Sequence, residues 1–187
     1  MSEAAATAGA SAGVETPPPL PSPERLQELL HDACRTGRDD MVPALLQAGA
    51  QLEGEDERGF TPLILASYNG QASTTELLLR LGALVDGEPE AVGSSALMGV
   101  AFKGNALIAR SLLDAGADPN RSNRGGQTPL MMAALFGQRE IVDMLLAAGA
   151  DPTMRDGTGA TAADIARTQG NEELAIVLSS QPSQQSA

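Results

Sequence analysis

Apolar residues along this chain come in short bursts, paired across a glycine and followed by a polar stretch rich in Gly, Asp and Pro. In the first burst of each pair two small or β-branched residues stand together: Ala33-Cys34, Ala66-Ser67, Val100-Ala101, Ala133-Ala134 and Ile165-Ala166. In the second burst a leucine recurs, at Leu45, Leu78, Leu112, Leu145 and Leu178. The pattern predicts a first helix of about ten residues, a glycine turn, a second helix and a longer loop, repeated along the chain. Small side chains let neighbouring first helices approach closely, with the leucines of the second helices filling the space behind.

The punctuation is periodic. Gly-Ala pairs begin at Gly49, Gly82, Gly116 and Gly149, separated by 33, 34 and 33 residues. A second series, Gly37, Gly70, Gly104, Gly137 and Gly170, runs at separations of 33, 34, 33 and 33, each 12 residues ahead of a Gly-Ala pair where one follows. Two phased series with one period identify a repeat architecture. Nine residues before each glycine of the second series stand Glu28, Thr61, Ser95, Thr128 and Thr161. A hydroxyl at a helix entry caps free N–H groups, and Pro62 and Pro129 beside it suit the first turn.

Thr61-Pro62-Leu63 and Thr128-Pro129-Leu130, then Ala-Ala-x-x-Gly, Ile141-Val142-x-x-Leu145-Leu146 and Gly149-Ala150-Asp151 together resemble the ankyrin repeat. The resemblance runs from Pro23 to Ser179 and implies an all-α solenoid of five helix-turn-helix units, over residues 22–54, 55–87, 88–121, 122–154 and 155–180. The sequence departs from the family in places. The histidine that follows Thr-Pro-Leu survives as His31, whereas the internal units carry Ile64, Met98 and Met131. Pro43 falls early in a second helix and is expected to fray its start. One extra residue falls within Val85 to Ser95, where an irregular hairpin is expected.

The outer units read as caps. Ser22-Pro23-Glu24 is a helix-start signal, Glu24, Gln27, Glu28 and Asp32 make the first unit polar, and Glu172, Glu173 and Ser179 do the same for the last. Residues 1–21, rich in Ala, Gly, Ser and Pro, and 181–187 are expected to be disordered tails. Pro17-Pro18-Pro19-Leu20-Pro21 reads as a linker, with a polyproline II ligand as the sharper alternative.

Composition narrows the function. Apolar residues are 42% of the chain but aromatic ones only 2%, so the core must be built from Ala, Leu, Val, Ile and Met. The net charge of −12 opposes binding to nucleic-acid phosphates or an anionic membrane surface. No secretory leader or apolar span long enough for a bilayer appears, so a cytoplasmic location is expected. His31 and the single cysteine, Cys34, lie on one predicted helix and could form an activated thiolate, but each occupies a structural slot of the repeat. The acidic groups Glu53, Glu55, Asp56, Glu57 and Asp86, Glu88, Glu90 lack calcium-loop spacing and read as solvated loop tips. With no phosphate loop or nucleophile elbow, no enzyme activity, metal or cofactor is expected.

The resemblance also implies a contact surface: the concave side, formed by loop tips and the two residues before each inter-helix glycine. Here those pairs are Arg35-Thr36, Tyr68-Asn69, Phe102-Lys103, Leu135-Phe136 and Thr168-Gln169, joined by Phe60, Ser94, Gln127 and Ala160 before the capping slot. All four aromatic residues, Phe60, Tyr68, Phe102 and Phe136, fall in such positions. Tyr68, Phe102 and Phe136 are expected to form a ladder at about 10 Å per step, the helix-packing distance. The loops change sign along the array, from the acidic first half with Glu57 and Arg58 to Arg121, Arg124 and Arg155. The expected function is a monomeric adaptor or regulatory subunit that binds a partner protein. A stoichiometric enzyme inhibitor is the alternative, and a self-assembling structural protein is a third reading.

Overall fold

The structure, a computed structural model, describes residues 21–87 and 93–180 and is all-helical over them. Ten helices follow in pairs: α1 (Pro23–Thr36) with α2 (Val42–Gln47), α3 (Pro62–Tyr68) with α4 (Ala72–Arg80), α5 (Ala96–Lys103) with α6 (Ala106–Asp114), α7 (Pro129–Leu135) with α8 (Arg139–Ala147), and α9 (Ala162–Thr168) with α10 (Glu172–Ser179). The odd-numbered helices stack face to face in chain order, and each packs on the even-numbered helix that follows it. The even-numbered helices touch one another more sparsely, so the odd-numbered helices form the more closely packed, inner layer.

The helix entries follow from the hydroxyl slot. Thr61, Ser95, Thr128 and Thr161 have extended backbone and accept the N–H three residues on, at 3.2–3.4 Å. In the first unit Glu28 holds that slot, so the cap moves back to Ser22, which accepts from Arg25 N–H at 3.3 Å. As a result α1 has 14 residues, while α3, α5, α7 and α9 have seven or eight, shorter than the ten the pattern predicts. Left-handed glycines close them; Gly104, with φ 80°, returns its N–H to the Val100 carbonyl and reverses the chain into α6.

Small residues meet between the inner helices. Ala33, Ala66, Val100, Ala133 and Ala166 are buried in one register, and Cys34, Ser67, Ala101 and Ala134 in the next. The last pair is therefore Ala166-Arg167 rather than Ile165-Ala166. Arg167 is exposed and pairs with Asp164 and Glu172 at 3.1 and 3.8 Å; no further described helix packs against it, so a long charged side chain fits there. Leu45, Leu78, Leu112, Leu145 and Leu178 fill the layer behind. The Pro43 effect is visible: α2 has six residues against nine in α4, α6 and α8.

The histidine slot is filled differently from unit to unit. His31, buried, donates from Nε2 to the Gly54 carbonyl at 2.7 Å and so ties α1 to the following loop. In α7 the slot holds Met131, whose Sδ accepts the Thr128 N–H at 3.4 Å. Residues 1–20, 88–92 and 181–187, which include Glu88, Glu90, the middle of the expected irregular hairpin and the expected tails apart from Pro21, lie outside the described residues.

Candidate functional site

Tyr68 ends α3, Phe102 lies in the last turn of α5, and Phe136 caps α7. Each comes just before an inter-helix glycine, where the inner helix stops and its last side chains are left uncovered. The three residues are 40%, 38% and 47% exposed, in a chain with only four aromatic residues. They touch. The Tyr68 and Phe102 rings stack with centroids 6.2 Å apart at 26°, and Phe102 meets Phe136 edge-on at 4.4 Å and 65°. The strip is thus tighter than the ladder of about 10 Å per step that backbone spacing suggested. Each ring leans across the gap between helices, and Phe136 sits one residue beyond the register of Tyr68 and Phe102, which Leu135 occupies.

Two further residues shape the strip. Lys103 places its ammonium 4.7 Å from the centre of the Tyr68 ring, a cation–π contact. Gly99, inside α5, lies beneath the same ring: a Cβ there would stand 3.2 Å from Tyr68 Cδ2. A glycine within a helix costs about 1 kcal/mol relative to alanine, and here it makes room for Tyr68. Reading the sequence for contact residues missed Gly99, although an isolated glycine in a helical stretch is itself a signal of close approach.

The remaining candidates fall in different places. Asn69 is exposed, and its amide donates to the Leu65 carbonyl at 2.7 Å. Leu135 is half-buried beside Phe136. Phe60 does not join the strip; it is half-buried and packs against the core from the loop before α3. Gln127 is half-buried too, its side chain accepting from Asn123 Nδ2 at 3.0 Å. Glu57, Arg58 and Arg124 are exposed on the loop tips.

The acidic loops are only partly solvated. Asp56 Oδ1 accepts the N–H groups of Arg58 and Phe60 at 2.9 and 3.0 Å, while Oδ2 takes the Arg35 guanidinium at 2.7 Å. Asn123 and Asp156 build the same turn two and three units on. Burial pushes the Asp56 carboxyl up, but the N–H groups of Phe60 and Arg58 and the charge of Arg35 together hold it below the usual carboxylate range. Glu53 and Asp86 reach across to backbone N–H groups of the next unit, Leu84 and Asp118, both at 2.9 Å. These three carboxylates therefore shape the loops rather than decorate them, whereas Glu55 and Glu57 are solvated as expected. Cys34 is fully buried, and burial first, then the charge of Asp39, pushes its thiol up to about 12 against the pull of Arg35. That environment is the reverse of one that activates a thiolate.

Stacked helix pairs with loops along one edge define a solenoid of short helical repeats. Family models of ankyrin repeats match residues 10–88 (three copies), 92–124 (a single repeat) and 112–166 (many copies). The chain belongs to the ankyrin-repeat family. It is 42% identical over 92 residues to an ankyrin repeat-containing protein of Treponema pallidum, covering 49% of this chain and 31% of that one. It is 36% identical over 104 residues to the E3 ubiquitin-protein ligase KEG of Arabidopsis thaliana, covering 54% of this chain and 6% of the ligase. The human ankyrin repeat and KH domain-containing protein 1 is 35% identical over 98 residues, 52% of this chain and 4% of that protein. The chain thus spans less than a third of each of these relatives. Ankyrin repeats are generally protein–protein interaction modules, and no described helix is long and apolar enough to cross a membrane.

Proposed function

We propose that this protein is a binding module, an adaptor or regulatory subunit, that docks a partner protein on the strip of Tyr68, Phe102 and Phe136. The observation that supports this most is the placement of the rings. Three of the chain's four aromatic residues lie side by side and well exposed on the inner layer, while the core is built almost entirely from aliphatic side chains. Aromatic side chains at the centre of an interface are its usual anchors, each worth on the order of 2 kcal/mol or more when truncated. Lys103 and Asn69 at the edge supply polar contacts, Leu135 extends the apolar surface, and the loop-tip charges Glu57, Arg58 and Arg124 with Gln127 orient the partner.

The test compares the native protein with the triple variant Tyr68→Ala, Phe102→Ala, Phe136→Ala as bait in a cell lysate, with circular dichroism confirming that both are helical. The expected outcome is a partner held by the native bait and weakened at least a hundredfold by the variant. Equal capture by both folded baits would move the contact surface off the strip.

A further inference from the structure

One position recurs four residues after the glycine that follows a second helix: Glu53 after Gly49, Asp86 after Gly82, Asn120 after Gly116. Each side chain crosses to the next unit and accepts a backbone N–H there. Leu84 donates to Glu53 Oε1 at 2.9 Å, Asp118 to Asp86 Oδ2 at 2.9 Å, and Asp151 to Asn120 Oδ1 at 2.7 Å. The donors lie two residues after Gly82, Gly116 and Gly149, so this is one bond made three times.

The other half of the side chain differs. Asn120 has an amide nitrogen there, and it donates to the Gly149 carbonyl at 2.9 Å. Glu53 and Asp86 have a second oxygen instead. Glu53 Oε2 and Asp86 Oδ1 are, among the described residues, the buried side-chain polar atoms that find no hydrogen-bond partner. In the register of the repeat, the carbonyl that stands where Gly149 stands for Asn120 is that of Gly116 for Asp86. An ionised carboxylate can only accept, so it cannot satisfy a carbonyl; a protonated carboxyl can.

Asp86 is the sharper case, because aspartate and asparagine have the same shape. We propose that Asp86 is a proton-operated latch between the loops after α4 and α6. When neutral, its Oδ1–H donates to the Gly116 carbonyl while Oδ2 accepts the Asp118 N–H, the pair of bonds that Asn120 makes at every pH. When charged, it keeps one bond and leaves the other oxygen buried and unpaired, and the seam between the two units loosens.

The groups around it bear this out. Burial is the strongest influence and pushes the carboxyl above its ordinary range; the Asp118 N–H and the Arg121 charge oppose it, and the Asp118 carboxylate adds to it. A carboxyl raised in the folded state binds its proton more tightly there than in the unfolded chain. Its contribution is therefore full below the ordinary aspartate value of 3.8 and is lost as pH rises through the folded value.

Urea unfolding of the full chain and of Asp86→Asn, from pH 4.5 to 7.5, tests the latch. Other carboxylates are common to both proteins and cancel in the comparison. The variant is expected to unfold at a midpoint about 0.5 M higher at pH 7.5, with the gap narrowing as pH falls. Asn120→Asp is expected to lower the midpoint at pH 7.5 and to recover part of the loss in acid. A midpoint for Asp86→Asn no higher than the native one at pH 7.5, or a gap constant across the range, overturns the proposal. The 13C titration of the Asp86 carboxyl in the native protein decides the matter without a variant: a midpoint above 3.8 supports the latch and one at or below it removes it.

Discussion

Two aspartates on neighbouring loops carry opposite signs. Asp56 is met by two N–H groups and an arginine, so ionisation stabilises it in the fold; at Asp86 burial, with one oxygen left unpaired, outweighs the Asp118 N–H and the Arg121 charge, so ionisation strains it. Asp56→Ala is expected to cost about 1–3 kcal/mol at neutral pH, since it strands the N–H groups of Arg58 and Phe60. Because the folded carboxyl lies below its ordinary value of 3.8, this contribution is present above that value and is lost as pH falls through the folded one. The difference between native and Asp56→Ala should thus shrink in acid, as read from unfolding midpoints at several pH values. None of this was visible in the residue types alone. A carboxylate in a Gly-rich loop has the same letters whether it faces water or a neighbouring amide, and what decides is the backbone brought beside it by the next unit. The mistaken reading of Glu53, Asp56 and Asp86 as loop decoration has that cause.

At the level of the element, most of the fold was legible because its punctuation is local. Thr61, Thr128 and Gly104 act on the chain within four residues of themselves, so their spacing predicted helix starts and turns correctly. The strip was less legible. Its residues could be named from the turn positions, but the contacts among Tyr68, Phe102 and Phe136 depend on how side chains lean between helices, and Phe60 turned inward toward the core. Gly99 joins the two levels. Gly99→Ala would favour helix α5 by about 1 kcal/mol from propensity while pressing a methyl against Tyr68. The expected result is a stability within about 1 kcal/mol of native, with the Tyr68 ring displaced from Phe102. The Tyr68 proton resonances, shifted by the adjacent ring, should move toward unstacked values, and unchanged resonances would show that the glycine is not the seat of the ring.

Across the whole molecule, each unit touches only its neighbours, so stability is distributed along a line rather than around one centre. The middle of the line is best supplied. Helices α3, α5 and α7 each pack against an odd-numbered helix on both sides, whereas α1 and α9 do so on one. The weakest helix is α2, with six residues, a proline in its first turn and no side-chain cap. Amide hydrogen exchange should therefore be slowest in α5 to α7 and fastest, among the helices, in α2. Uniform protection along the array would mean that the units unfold together.

The aromatic strip has an optical consequence. Tyr68 is the only tyrosine of the chain, and there is no tryptophan. Light absorbed at the red edge of the tyrosine band therefore excites one side chain, and that side chain lies against Phe102 with the Lys103 ammonium above its face. The intrinsic fluorescence of the protein is the fluorescence of its candidate binding surface, so docking of a ligand without tyrosine or tryptophan can be followed without any label.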